Sequence, residues 1–207
     1  MGQFFKIHPI NPQRRLLERA AEILSSGGVI VYPTDSIYAL GCPIGDKEAL
    51  GRIQRIRNIE RDHDFTLVCR DLSEIATYAR VDNQKYRLLR SLTPGPYTFS
   101  LQATHEVPKR LQDPKKRSIG IRVPSHPVAA ALLEVFGGPV MSSTLLLPDE
   151  DLPMTDPEEI RSRLGKQVDA IIDSGVCGVE PTTILDLSGD SVAVVRRGKG
   201  DASAFQS

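Results

Sequence analysis

Apolar runs of strand length alternate with stretches of helical periodicity along most of this chain, and Gly or Pro closes many of them. That alternation points to helices packed on a sheet rather than to an all-helical or all-β domain. Asn11-Pro12 reads as an N-cap with Pro at the first helical position. Leu16, Leu17, Ala20, Ala21, Ile23 and Leu24 then form one apolar face, which Gly27-Gly28 ends. Residues 29–33 (VIVYP) read as a buried strand, and Asp46 is placed to cap a helix carrying Leu50, Ile53 and Ile56. FTLVC (65–69) reads as a strand, and 71–79 and 83–92 as helices. Pro94-Gly95-Pro96 forces a turn before a strand over 97–103. Strands are expected at 119–123 and 139–146, with a helix between them opened by Pro127 and closed by Gly137-Gly138. Asp156-Pro157-Glu158-Glu159 starts a further helix, with acids suited to its dipole. DAIID, TTILDL and SVAVVRR finish the chain as strands, the last two a hairpin across Ser188-Gly189-Asp190. The expected architecture is one α/β domain over residues 10–200, on a twisted mixed sheet.

Composition narrows the function classes. Lys plus Arg and Asp plus Glu are each 26, so no global field draws the chain to nucleic acid or membrane. No apolar run approaches the about 20 residues of a membrane span. Cys42, Cys69 and Cys177 are odd in number and widely spaced, which suits neither a disulfide framework nor a zinc knuckle. MGQFFKIHPINPQRR lacks a signal-peptide core. A reducing cytoplasm is the expected location.

Chemistry concentrates in two places. Thr34, Asp35 and Ser36 follow a strand, where α/β sheets usually hold ligands; a hydrogen-bonded turn accounts for the same residues. Neither G-x-x-x-x-G-K-[ST] nor G-x-G-x-x-G after a strand is found, so the familiar nucleotide loops do not apply. Arg122 sits inside the apolar strand IGIRV, where a guanidinium suits carboxylate or phosphate; a solvent-facing residue or a structural ion pair is the other reading. Further basic residues cluster at Arg52–Arg61, at Lys109–Arg117 and at Arg196–Lys199.

PTDSIYALG resembles P-T-[DE]-[TS]-x-Y-G-L-G, TPGPYTFSL a P-G-P-x-T-x-x-L segment, and IGIRVP G-x-R-x-P. EPTTILDL resembles P-S-T-[IV]-x-D-L, and VVRRG a closing x-x-R-x-G. In that order the chain resembles the YrdC/YciO family of threonylcarbamoyl-adenylate synthases, and most nearly its YciO branch. The resemblance implies a twisted α/β sheet with a large concave basic cavity. It also implies a nucleotidyltransferase reaction, in which L-threonine, bicarbonate and ATP give threonylcarbamoyl-adenylate and pyrophosphate for later transfer to transfer RNA. On the threonine side it implies Thr34, Ser36, Arg122 and Thr182. On the nucleotide side it implies Arg55, Arg57, Thr144 and Arg196. Mg²⁺ is expected to enter with ATP, and no protein metal site is expected, since His8, His63, His105 and His126 are scattered. No catalytic nucleophile is assigned.

Two segments depart from the family pattern. Where the synthases carry K-x-R-P, ungapped alignment puts Arg57, Ile59 and Glu60 at the lysine, arginine and proline; with a shift, Arg55 and Arg57 replace the basic pair. Where they carry S-x-N, this chain has Thr144 and Leu146. The Leu145–Leu147 run also reads as simple strand packing. The expected activity is therefore that of a weak or divergent synthase. The second reading is a protein that binds double-stranded RNA or transfer RNA in the same cavity without efficient chemistry. A carbamoyl-transfer module of the hydrogenase-maturation kind is a third.

Overall fold

The computed structural model describes residues 2–59 and 65–205. Glu60, Arg61 and His63, named above, lie outside the described residues. The strands are β1 (Gln3–Lys6), β2 (Ile30–Tyr32), β3 (Ala39–Pro43), β4 (Thr66–Val68), β5 (Tyr97–Gln102), β6 (Ser118–Arg122), β7 (Val140–Thr144), β8 (Ala170–Asp173), β9 (Thr183–Asp186) and β10 (Ala193–Arg196). The helices are α1 (Arg14–Ser25), α2 (Lys47–Arg57), α3 (Leu72–Tyr78), α4 (Asn83–Leu92), α5 (Pro127–Phe136) and α6 (Pro157–Leu164). All ten strands form one mixed sheet in the order β1-β8-β2-β3-β7-β4-β6-β5-β9-β10.

Local chemistry sets most of the boundaries. Asp46 Oδ1 accepts from the Glu48 and Ala49 amides at 3.0 and 2.9 Å and starts α2. Asp156 accepts from Glu158 N at 2.9 Å and starts α6. Gly27 and Gly137 take φ of 80° and 75° just past α1 and α5, where a Cβ would be strained. The expected Asn11 cap is not made. The first turn of α1 follows Gln13, with no side-chain cap. The polar residues before it close a loop instead: His8 Nδ1 accepts from Ile10 N and Asn11 N, and Gln13 Oε1 from His8 N. The strand expected over 139–146 stops at Thr144, where Leu145 N turns to donate to Tyr38 O at 3.1 Å. β1 and β3 were not expected from the sequence. β9 and β10 form the expected antiparallel hairpin, with a one-residue bulge at Val195 between the pairs Val194–Leu185 and Arg196–Ile184.

The pleat gives the sheet two unlike faces. On one, Leu40, Met141, Leu67, Ile121, Phe99 and Leu185 join side chains of α2, α3, α4 and α6 in a continuous apolar core. Each such leucine or isoleucine contributes about 1.5–3 kcal/mol through burial. On the other, Ile30, Tyr32, Ala39, Val68, Val140 and Ile172 pack under α1 and α5. Further along this second face the register aligns Ser142 with Thr66, Thr66 with Gly120 and Gly120 with Ser100, while Arg122 pairs Val68 and Thr144 pairs Ala39. This stretch therefore has a floor of small hydroxyl side chains and glycine, with one arginine.

Candidate functional site

A cavity of about 250 Å³ opens on that floor. Thr34 and Ser36 from the loop after β2, Arg57 from the end of α2, Arg122 from β6, Thr144 from β7, Thr182 before β9 and Arg196 from β10 all line it. The structure thus brings together every residue expected from the sequence except Arg55. Arg55 is exposed on α2 and absent from the lining. Positions two apart on a helix point about 200° away from each other, so only one of this basic pair can face β7.

The loop after β2 is held by its own hydroxyls. Thr34 Oγ1 donates to Ile37 O at 2.6 Å and accepts from the Ser36 and Ile37 amides at 3.2 Å each. Ser36 Oγ lies 3.0 Å from Thr34 Oγ1. The expectation of a hydrogen-bonded turn and that of a cavity wall are both met by the same residues.

Arg122 is buried, at 7% exposure. Its Nη1 donates to Ser36 Oγ at 3.3 Å, its Nη2 donates to Asp35 Oδ1, and its Nε has no partner. Asp35 Oδ2 accepts from Ser125 N and Oγ at 3.1 and 2.9 Å. The strand arginine therefore both makes a structural ion pair and lines the cavity.

Arg57 Nε donates to Leu146 O at 3.1 Å and Nη1 to Ser143 Oγ at 2.6 Å. Arg196 Nε and Nη2 donate to Thr182 O at 3.2 and 2.9 Å, and Nη2 also to Thr182 Oγ1 at 3.3 Å. Neither guanidinium has a carboxylate partner among the described residues, and burial lowers both pKa values. The Val195 bulge is what puts Arg196 here. Paired residues of an antiparallel ladder point to the same side, and the extra residue brings Arg196, not Val195, opposite cavity-lining Ile184.

Several lining residues escaped the sequence reading. Thr98 Oγ1 lies 2.8 Å from Thr182 Oγ1. Behind the lining, Tyr32 OH donates to Ser142 Oγ at 2.9 Å, and burial pushes its phenol up to about 12, so it stays a donor at neutral pH. Thr66, Ser142 and Ser143 complete the wall. Their signal is the recurrence of Ser, Thr or Gly at alternate positions of YTFSLQ, SIGIR and VMSST, beside the single Thr of FTLVC. Leu146 belongs to no strand. It is partly exposed between buried Leu145 and Leu147, so only its two neighbours pack as core. Of the Lys109–Arg117 cluster, Arg110 donates to Gly45 O and Lys116 pairs with Asp186 at 2.6 Å.

The lining contains no carboxylate, and no group of three or more His, Cys, Asp or Glu side chains suited to a metal ion occurs among the described residues. The hydroxyls present do not make a cation cage. No described helix is long and apolar enough to cross a membrane.

An open polar floor, a hydroxyl-rich loop and three arginines, from α2, β6 and β10, make this an α/β protein with an arginine-lined cavity on a mixed sheet. The Sua5_yciO_yrdC family model, described as telomere recombination, matches residues 22–198, and the chain belongs to this family. It is 57% identical over 205 residues to the uncharacterized protein YciO of Escherichia coli K12, covering 99% of this chain and 100% of that one. The crystal structure of E. coli YciO superposes with a TM-score of 0.95, covering 100% of both chains. A threonylcarbamoyl-AMP synthase of Halorhodospira halophila is 31% identical over 183 residues, 87% of this chain and 94% of that one. The structure of P. abyssi Sua5 complexed with L-threonine shares the fold, with a TM-score of 0.89 at 20% identity, over 98% of this chain and 59% of that one.

Proposed function

We propose that the cavity holds L-threonine and ATP side by side and joins them, with bicarbonate, into threonylcarbamoyl-adenylate, more slowly than a synthase that keeps K-x-R and S-x-N. One observation carries the reading: Arg57 and Arg196 face a common cavity with no carboxylate partner among the described residues. Each has also spent only part of its donor set, on neutral oxygens. Arg57 Nη2 and Arg196 Nη1 remain to meet an anion. A polyphosphate supplies the missing charge. Arg122 and Ser36 lie across the same cavity, suited to an amino-acid carboxylate.

The chemistry asks little more of the chain. The threonine amine attacks the carbon of bicarbonate or CO₂, a carbamate forms with loss of water or a proton, and a carbamate oxygen then attacks the α-phosphate, releasing pyrophosphate. Neither step needs an enzyme nucleophile. Positioning and positive charge around the phosphates supply the catalysis. Mg²⁺ would arrive on the ATP phosphates and water, since the described residues of the lining offer no carboxylate to hold it. Transfer of the product to a transfer-RNA adenosine would follow. The family relationship to threonylcarbamoyl-AMP synthases supports the reading. The slower rate is the expectation from Leu146, an apolar side chain where the synthases' S-x-N pattern carries an amide, although Leu146 is not itself among the lining residues.

The test is pyrophosphate release by the purified chain with ATP, bicarbonate and threonine, together and with each omitted. Release that needs all three, with threonylcarbamoyl-adenylate detected by mass, is expected. No release at any enzyme concentration, or release indifferent to threonine, would sink the reading.

A further inference from the structure

The Arg122 end of the cavity differs electrostatically from the rest. Arg57 and Arg196 carry charge that no described carboxylate balances. Arg122 is balanced by Asp35, and the two side chains are 8% and 10% exposed. Asp35 is not itself part of the cavity lining. It stands behind the guanidinium, its other oxygen fixed by Ser125 N and Oγ. Of the other titratable groups close by, burial raises the pKa values of the Tyr32 phenol and the Cys177 thiol and keeps both neutral. Lys199 Nζ donates to the Asp35 carbonyl but is exposed, so solvent screens it. His126 is held neutral by burial, which lowers its pKa. In so dry a place, opposite charges in contact largely cancel at a distance.

We propose that Asp35 determines which anion each end of the cavity accepts. By neutralising Arg122 from behind, it leaves there a donor with direction but little surplus charge: Nη1 beside Ser36 and an unpartnered, buried Nε. Such a seat suits the carboxylate of a zwitterionic α-amino acid, whose own ammonium keeps its net charge at zero. It suits a phosphate poorly, because a multiply charged anion needs surplus positive charge to offset its lost hydration. Phosphate is thereby confined to the Arg57 and Arg196 end, and the two ligands lie in one direction only. The identity of the amino acid rests on the function proposed above. The charge argument holds for any phosphate.

Calorimetric titration with inorganic pyrophosphate and, separately, L-threonine tests this on the full chain. Asp35→Asn keeps the shape of the side chain and removes its charge. The variant is expected to bind pyrophosphate about tenfold more tightly than wild type, as one charge removed at close range implies. Pyrophosphate should leave threonine bound to the wild type yet displace it from the variant. The gain should vanish in Asp35→Asn/Arg122→Gln, and Asp35→Glu should keep the wild-type discrimination. Equal pyrophosphate affinity in wild type and Asp35→Asn, or a gain that survives loss of Arg122, overturns the proposal. If Asp35→Asn does not fold, the wild type still decides: competition between pyrophosphate and threonine there is equally fatal. A wild type that binds pyrophosphate but never threonine removes the amino-acid reading and leaves the pyrophosphate comparison to judge Asp35.

Discussion

Arg57 and Ser143, 86 residues apart in the chain, are joined by a 2.6 Å hydrogen bond from Nη1 to Oγ, which ties the end of α2 to the end of β7. The same guanidinium holds the Leu146 carbonyl through Nε. Arg57 therefore sets the spacing of two elements while also lining the cavity.

Replacing Arg57 is accordingly expected to cost activity even when charge is kept. Arg57→Lys should lower ATP-dependent pyrophosphate release roughly 10- to 100-fold, close to the loss in Arg57→Ala, because an ammonium cannot serve two fixed acceptors and a ligand in one plane. Steady-state rates of the two variants check this. A lysine variant with wild-type rate would show that Arg57 acts only as a charge.

Arg122→Ala should abolish the thermal stabilisation that threonine and ATP give together, and should also weaken the fold. Its partner Asp35 would be left charged and buried, a defect worth about 3–5 kcal/mol. Removing Asp35 as well, in Arg122→Ala/Asp35→Ala, should recover part of that stability but none of the ligand response. Denaturant unfolding with and without ligands separates the two effects.

Leu146 and Leu145 give a paired test of the altered strand end. Leu146 is partly exposed, so Leu146→Asn should change stability by no more than roughly 0.5 kcal/mol while raising pyrophosphate release. Leu145 is fully buried, so Leu145→Asn should destabilise by about 3 kcal/mol or more, through lost burial and an unpaired amide. An early-melting Leu146→Asn with no gain in rate would assign Leu146 to packing instead.

Asp71 caps α3 by accepting from Glu74 N at 2.9 Å and pairs with Arg70. The amide bond, then Arg70, holds its carboxyl below the ordinary value of 3.8. A folded pKa below the unfolded one adds stability that is complete above the unfolded value and fades as pH falls through the folded one. Melting temperature should therefore begin to drop as pH falls below about 4, and the drop should be shallower in Asp71→Asn. Superimposable curves for the two proteins would dismiss this contribution.

The sequence displayed the buried strands and most of the site, but unevenly. Val29–Val31 and Ile119–Val123 stand out because β-branched residues crowd between turn signals. β3 does not, because Ala39, Leu40, Gly41 and Cys42 carry little β-propensity and owe their strand to neighbours on both sides. Arg122 was conspicuous as a charge within an apolar run. Thr66 and Ser142 were not, since a lone hydroxyl in a strand is unremarkable until several strands are laid in register. Nothing in the local pattern separated Arg57 from Arg55; only the turn of the helix against β7 does.

The bulge at Val195 gives residue number, rather than residue type, control over one wall of the cavity. Along β10 the side to which Arg196 points is a matter of parity, and Val195 is the count that makes it come out right. Were Val195 drawn into a regular ladder, it would pair Ile184 and the same arginine, in the same hairpin, would fall opposite Thr183 and face away from the cavity. An unbulged strand of the same length would align its arginine with Arg196 without a gap, yet hold it on the other face of the sheet. For relatives of this protein, the presence of the bulge before this arginine is thus as informative a character as the arginine itself.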